Sequence, residues 1–238
     1  MNDATNGKDA ASEKDAGSTV RYYKKDFWSE ENLKFSEPHY RLEKSARIIK
    51  NISQGRECTL LDVGCGPVTL SRLLPPNIHY YGIDMAIHRP APNLIEADLL
   101  RTPIQFGDKR FDIVIAQGVF EYLGDFQDQK FAEISECLDE DGVFIVTYWN
   151  YAHRNTKVYW AHSHVQSIGD FRKALARHFQ VNRFFPASHN WYHGSPSLKL
   201  NKIINMHMNT YIPIISPILA VEYFFICSPL GSSHPGSR

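Results

Sequence analysis

The chain has little of several things that would each settle its class. Cysteine is scarce: Cys58, Cys65, Cys137 and Cys227 stand far apart with no C-x-x-C pair. That argues against a disulfide framework or a zinc site and suits a reducing compartment. Net charge is missing, because Lys and Arg number 26 and Asp and Glu also number 26. The whole-chain field therefore makes no case for nucleic acid or an anionic membrane as partner. Long unbroken apolar runs are missing too. The most apolar stretch, Tyr211 to Leu230, is interrupted by Pro213, Pro217, Glu222 and Pro229, which a membrane span would carry badly. A loop feeding a buried strand is the better reading. Residues 1–19 lack the apolar centre of a signal peptide and read as a disordered lead; residues 231–238 read as a disordered tail. What is left is the expectation of a cytoplasmic protein without a membrane span, folded as a single domain over residues 20–230.

What is present begins with C-T-L-L-D-V-G-C-G at residues 58–66. Cys58 to Val63 is a short apolar run suited to the middle of a parallel sheet, and Gly64 and Gly66 follow where the chain must turn tightly. Val68 to Leu74 reads as a helix stopped by Pro75 and Pro76. Further strands are expected at 79–84, 93–98, 111–117, 143–149, 179–185 and 221–227, from β-branched and aromatic enrichment. Helices are expected at 38–52, 128–138 and 167–178, with Gly142 as a turn residue. Strands alternating with helices predict an α/β fold: a seven-stranded Rossmann-like sheet with right-handed crossovers and helices on both faces. It carries an N-terminal helical cap and, before the last strand, a long insertion over 189–220. A connection of that length tends to be a lid or a substrate element.

A dinucleotide site wants G-x-G-x-x-G, whose third glycine lets the helix pack close to the strand. Here the run is Gly64-Cys65-Gly66-Pro67-Val68-Thr69, so the third glycine is absent and an NAD-linked oxidoreductase is disfavoured. Two acids follow in step. Asp84 ends Y-Y-G-I-D, where its carboxylate can accept from both hydroxyls of a ribose, and Asp98 ends I-E-A-D, where it can accept from an exocyclic adenine amine. Each has a plainer alternative as a turn or cap carboxylate, as does Asp62.

The four motifs L-L-D-V-G-C-G (60–66), G-I-D (82–84), A-D (97–98) and F-D-I-V-I-A-Q (111–117) together resemble the class I S-adenosylmethionine-dependent methyltransferases, over roughly residues 38 to 150. The resemblance implies S-adenosyl-L-methionine as cofactor. It implies that Asp62 orients the loop, that Gly64 and Gly66 admit the methionine moiety, and that Asp84 holds the ribose, with Cys65 and Met85 also among the cofactor-binding residues. Asp98 with Leu99 frames the adenine, and Gln117 offers main-chain contacts. The N-terminal segment is similar to that of the ubiquinone-biosynthesis O-methyltransferases, in which an arginine meets the cofactor carboxylate. Arg41 stands in that place, with a solvated helix arginine as the alternative. Relatives that bind a divalent metal through Glu-x-x-Glu-His have no match here, where Gly118, Glu121 and Tyr122 stand, so no metal is expected. Glu121 alone reads as a helix-starting acid.

The same region bears on the acceptor. Amino-group DNA methylases carry Asn/Asp-Pro-Pro-aromatic after the fourth strand, and protein arginine methylases carry paired glutamates. Neither is found in Gln117-Gly118-Val119-Phe120-Glu121. A small molecule is left as acceptor. A hydroxyl needs a base near neutral pH, and histidine suits that task. Two aromatic-histidine clusters qualify, 149–154 and 189–194, so His193 is the expected base and His153 the reserve. O-methylation of a small molecule of a natural-product, glycan or lipid pathway is the leading expectation. A small amine as acceptor, or a non-catalytic binding subunit, is the alternative.

Overall fold

The computed structural model describes residues 40–152, 164–189 and 211–232. One sheet holds seven strands in the order β3-β2-β1-β4-β5-β7-β6. They are β1 (Cys58–Val63), β2 (Ile78–Asp84), β3 (Leu94–Glu96), β4 (Phe111–Ala116), β5 (Leu138–Trp149), β6 (Phe179–His189) and β7 (Ala220–Pro229). Strands β1 to β5 pair in parallel. Strand β7 runs antiparallel to both β5 and β6, between which it lies. The carboxyl ends of β1, β2, β4, β5 and β6 therefore share one edge with the amino end of β7. In register, Trp149 faces Glu222 and His189 faces Ala220 across that edge.

The central strands are apolar on both sides because both faces are covered. Leu61, Val63, Val114, Ala116, Phe144, Val146, Tyr148 and Phe225 pack on one face with Phe131, Ile134, Phe171 and Leu175. Those last four come from α2 (Gln127–Cys137) and α3 (Ile168–Leu175). Phe171 stacks on Tyr148 at 3.9 Å between ring centroids, and Phe120 on Phe131 at 4.4 Å. The other face is Leu60, Ile113, Ile115, Val143, Ile145 and Phe224, closed by Ala46 and Ile49 of α1 (Tyr40–Ser53). Full burial of a side chain such as Ile49 is worth about 1.5–3 kcal/mol. Ser167 caps α3 by accepting from the Asp170 amide at 3.0 Å, the side-chain acceptor a helix start calls for.

Three expectations need correction. The helix expected over 68–74 is a short 3-10 helix, Thr69–Leu73, preceded by Val68 at φ 60°. Pro67 before it and Pro75 and Pro76 after it leave too few residues for a run of α-type hydrogen bonds. No helix links β2 to β3 or β3 to β4, so the alternation of strand and helix is incomplete on that flank. Strand β5 begins directly after α2, and Gly142 lies within it. Pairing with β4 skips from Leu138 to Val143 opposite Phe111 and Ile113, so the chain turns inside a bulge rather than before the strand. Of the insertion expected over 189–220, residues 190–210 lie outside the described residues, as do 1–39 and 233–238; α4 (Ile215–Leu219) leads into β7. Among the described residues no helix is long and apolar enough to cross a membrane.

Candidate functional site

Parallel strands aim their carboxyl ends at one edge, and a ligand in an open α/β sheet is expected there. Two adjoining clefts open on it. One, of about 600 Å³, is lined by Gly64, Asp84, Met85, Ala97, Leu99, Gln117, Gly118, Val119, Tyr122 and Leu123. The other, of about 490 Å³, is lined by Arg41, Leu42, Asp62, Gly64, Cys65, Gly66, Pro67, Thr69, Leu70 and Gln117. Gly64 and Gln117 belong to both.

The shared wall is built by local constraint. Gly64 has φ 75°, its amide donates to Ile83 O at 2.8 Å, and a Cβ there would run into Val119 Cγ2. Only glycine fits a position that is both left-handed and this crowded. Asp84, at the end of β2, is 8% exposed. Its Oδ2 accepts from the Gly66 amide at 2.8 Å and its Oδ1 from the Ala86 amide at 3.0 Å. Burial raises its carboxyl above the usual range, and the amides of Gly66, Ala86 and Met85 offset part of that rise. Each oxygen keeps a further lone pair for a ligand hydroxyl. Gln117 Nε2 donates to Ser45 Oγ at 2.7 Å, which turns the side chain to α1 and leaves the main chain to meet a ligand.

Asp62 is buried, and its Oδ2 accepts from the Tyr80 hydroxyl at 2.7 Å, tying β1 to β2. Burial pushes its carboxyl up to about 7 against the pull of that bond. Burial likewise raises the Cys65 thiol far above its ordinary range, so it is inert. Arg41, near the start of α1, donates from Nη1 to Glu222 Oε1 at 3.0 Å. Its guanidinium lies against the turn after β4, where a Cβ on Gly118 would stand 3.2 Å from Nη1.

The clefts thus gather Arg41, Asp62, Gly64, Cys65, Gly66, Asp84, Met85, Leu99 and Gln117. Asp98 is not among their lining residues. Its Oδ1 accepts from the Leu100 amide at 3.0 Å and its Oδ2 stands 3.8 Å from Arg101 Nε, so it closes a turn while Ala97 and Leu99 on either side face the cavity. His193 and His153 lie outside the described residues. His189 of the same cluster is buried, with Nε2 2.9 Å from Ser216 Oγ, and burial and Lys44 lower its pKa. It is neutral and engaged.

Several site residues escaped the sequence reading. Val119, Tyr122 and Leu123 line the larger cleft, and the only signal was their place just after β4. Glu121, expected as a helix-starting acid, does stand in the first turn of the 3-10 helix Phe120–Tyr122; it lines neither cleft, has no exposed surface, and its Oε1 accepts from the Trp149 amide at 2.9 Å. Burial first and Glu222 second push its carboxyl up to about 8. Among the described residues no group of three or more His, Cys, Asp or Glu side chains could hold a metal ion.

A family model described as a methyltransferase domain matches residues 37–199. Among solved structures, the chain is similar to an S-adenosylmethionine-dependent methyltransferase from Clostridium acetobutylicum, at 13% identity and TM-score 0.58, over 84% of this chain and 96% of that one. It is also similar to the N-methyltransferase NodS from Bradyrhizobium japonicum in complex with S-adenosylhomocysteine, at 12% identity and TM-score 0.58, over 90% and 99%. A third is 1,6-didemethyltoxoflavin-N1-methyltransferase from Burkholderia thailandensis, at 13% identity and TM-score 0.58, over 89% and 87%. At such identities the likeness is one of fold. No curated protein matches the sequence.

Proposed function

This chain belongs to the methyltransferase domain family, and we propose that it transfers a methyl group from S-adenosyl-L-methionine to a small molecule. The observation that carries the reading is Asp84, a buried carboxylate that braces the glycine turn and lines the same cleft as Met85, Leu99 and Val119. The donor set fits the cofactor. Asp84 has acceptor capacity for a ribose, apolar side chains flank a space for the adenine, and Arg41 lines the second cleft where the amino-acid carboxylate would lie. The bound cofactor supplies a sulfonium methyl open to in-line displacement. The chain's own residues hold it, exclude water and place the acceptor.

Removing Asp84 takes a charged partner from a mostly buried site, and such a bond is worth about 1.5–3 kcal/mol. Calorimetric titration of S-adenosylhomocysteine should show Asp84→Ala weaker than the parent by about that amount. Equal affinity would sink the assignment.

For the acceptor we propose a hydroxyl, with His193 as the base and His153 in reserve. Turnover of His193→Ala should then fall roughly 10²–10⁴-fold with cofactor affinity unchanged. A second reading, an amine nitrogen, is favoured by the two N-methyltransferases of like fold. A neutral amine needs no base, so near-parental turnover of His193→Ala on an amine panel selects it.

A further inference from the structure

We propose that Glu222 is a positioning residue for the cofactor: it holds the Arg41 guanidinium in place to receive the cofactor's amino-acid carboxylate. The inference rests on the S-adenosylmethionine reading above and extends it to a residue far outside the glycine motifs.

Arg41 is the second residue of α1, a place where a long side chain samples many rotamers. A guanidinium meets a carboxylate well only when its planar fork is already aimed, since ordering it at the moment of binding subtracts from affinity. Glu222 supplies the aim. It sits near the amino end of β7, inserted between Trp149 of β5 and Ser188 of β6, so its backbone is held from both sides. Its Oε1 accepts a hydrogen bond from Arg41 Nη1 at 3.0 Å, the Arg41 and Glu222 side chains being 19% and 4% exposed. Arg41 also lines the cleft with Gly64, Gly66 and Gln117. One side chain thus joins a fixed acid to the ligand space.

A purely structural buried pair is seldom worth its desolvation, and apolar replacements often serve as well. Here the pair stands on the ligand edge of the sheet and touches the turn after β4, which suits a ligand role. Glu121 nearby is occupied otherwise: its Oε1 accepts from the Trp149 amide at 2.9 Å, and burial first and Glu222 second raise its carboxyl.

The test compares S-adenosylhomocysteine with 5′-methylthioadenosine, which keeps the nucleoside and thioether but lacks the amino-acid carboxylate. Affinities for both are measured by calorimetry on the parent, Arg41→Ala, Glu222→Gln and the double variant. Glu222→Gln should lose roughly tenfold toward S-adenosylhomocysteine and stay within about twofold for methylthioadenosine. In the Arg41→Ala background it should add nothing, because residues acting through one another are not additive. An equal loss for both ligands, a loss that persists without Arg41, or tighter S-adenosylhomocysteine binding each overturns the proposal. Should the Gln variant fail to fold, Glu222→Asp keeps the charge and shortens the reach, and the same pattern is expected of it. A parent that binds neither ligand overturns the cofactor reading itself. A parent that binds both equally overturns only the Arg41 step.

Discussion

Glu121 carries a pH dependence that can be worked out from its surroundings. It is fully buried, one oxygen accepts from the Trp149 amide, and Oε2 has no hydrogen-bond partner among the described residues. Its carboxyl is pushed from an ordinary 4.5 up to about 8. An acid raised in the folded state takes up a proton on folding between those two values. Its contribution to stability is therefore whole below the unfolded value, declines as pH rises, and is lost above the folded one. Glu121→Gln keeps an acceptor for the Trp149 amide and removes the titration. The parent's melting temperature should fall more steeply than the variant's from about pH 5 to about pH 9. At the alkaline end the variant should be the more stable by on the order of 1–4 kcal/mol. Parallel curves would mean that Glu121 does not titrate in that window. Residue positions were legible where a motif fixed them. Asp84 at the end of its strand and the two glycines could be read directly, and both line the clefts. Asp98 could not, because a carboxylate after a strand can as well turn to the Leu100 amide, and nothing local decides between the two.

At the scale of elements, the glycine turn and the segment after β4 form one unit, since Gly64 can be what it is only against Val119. Gly64→Ala would put a side chain at φ 75° and drive its Cβ into Val119 Cγ2. The backbone strain alone costs about 1–3 kcal/mol, and the collision adds to it. Denaturant midpoints should place Gly64→Ala well below the parent, and Gly64→Ala with Val119→Ala partly restored, because the second change relieves the collision but not the strain. If the double variant were no better than the single, the contact would not be what matters. The strands were legible because runs such as Phe111 to Ala116 are apolar on both faces, as a covered parallel sheet requires. The helix read after the glycine turn, with its stop at Pro75 and Pro76, is there as a 3-10 helix over Thr69–Leu73, its length too short for α-type hydrogen bonding.

For the whole molecule, ligand and fold are linked by mass action. S-adenosylhomocysteine at about a hundred times its dissociation constant should stabilise the chain by about 2.7 kcal/mol. For a domain of this size that is a rise of roughly 5–10 °C in melting temperature, whereas NAD should give none. A rise with NAD alone would return the chain to the oxidoreductases. The sequence by itself determined the order and kind of most elements, the glycine turn, and the place of Asp84 at the end of its strand. Each of these rests on local periodicity or on one residue's backbone freedom. Only the tertiary structure decided that Glu222 partners Arg41, 181 positions away, and stands beside Glu121. That meeting depends on β7 entering the sheet backwards between β5 and β6, and long-range strand order is carried by packing across the whole sheet, which no local pattern encodes.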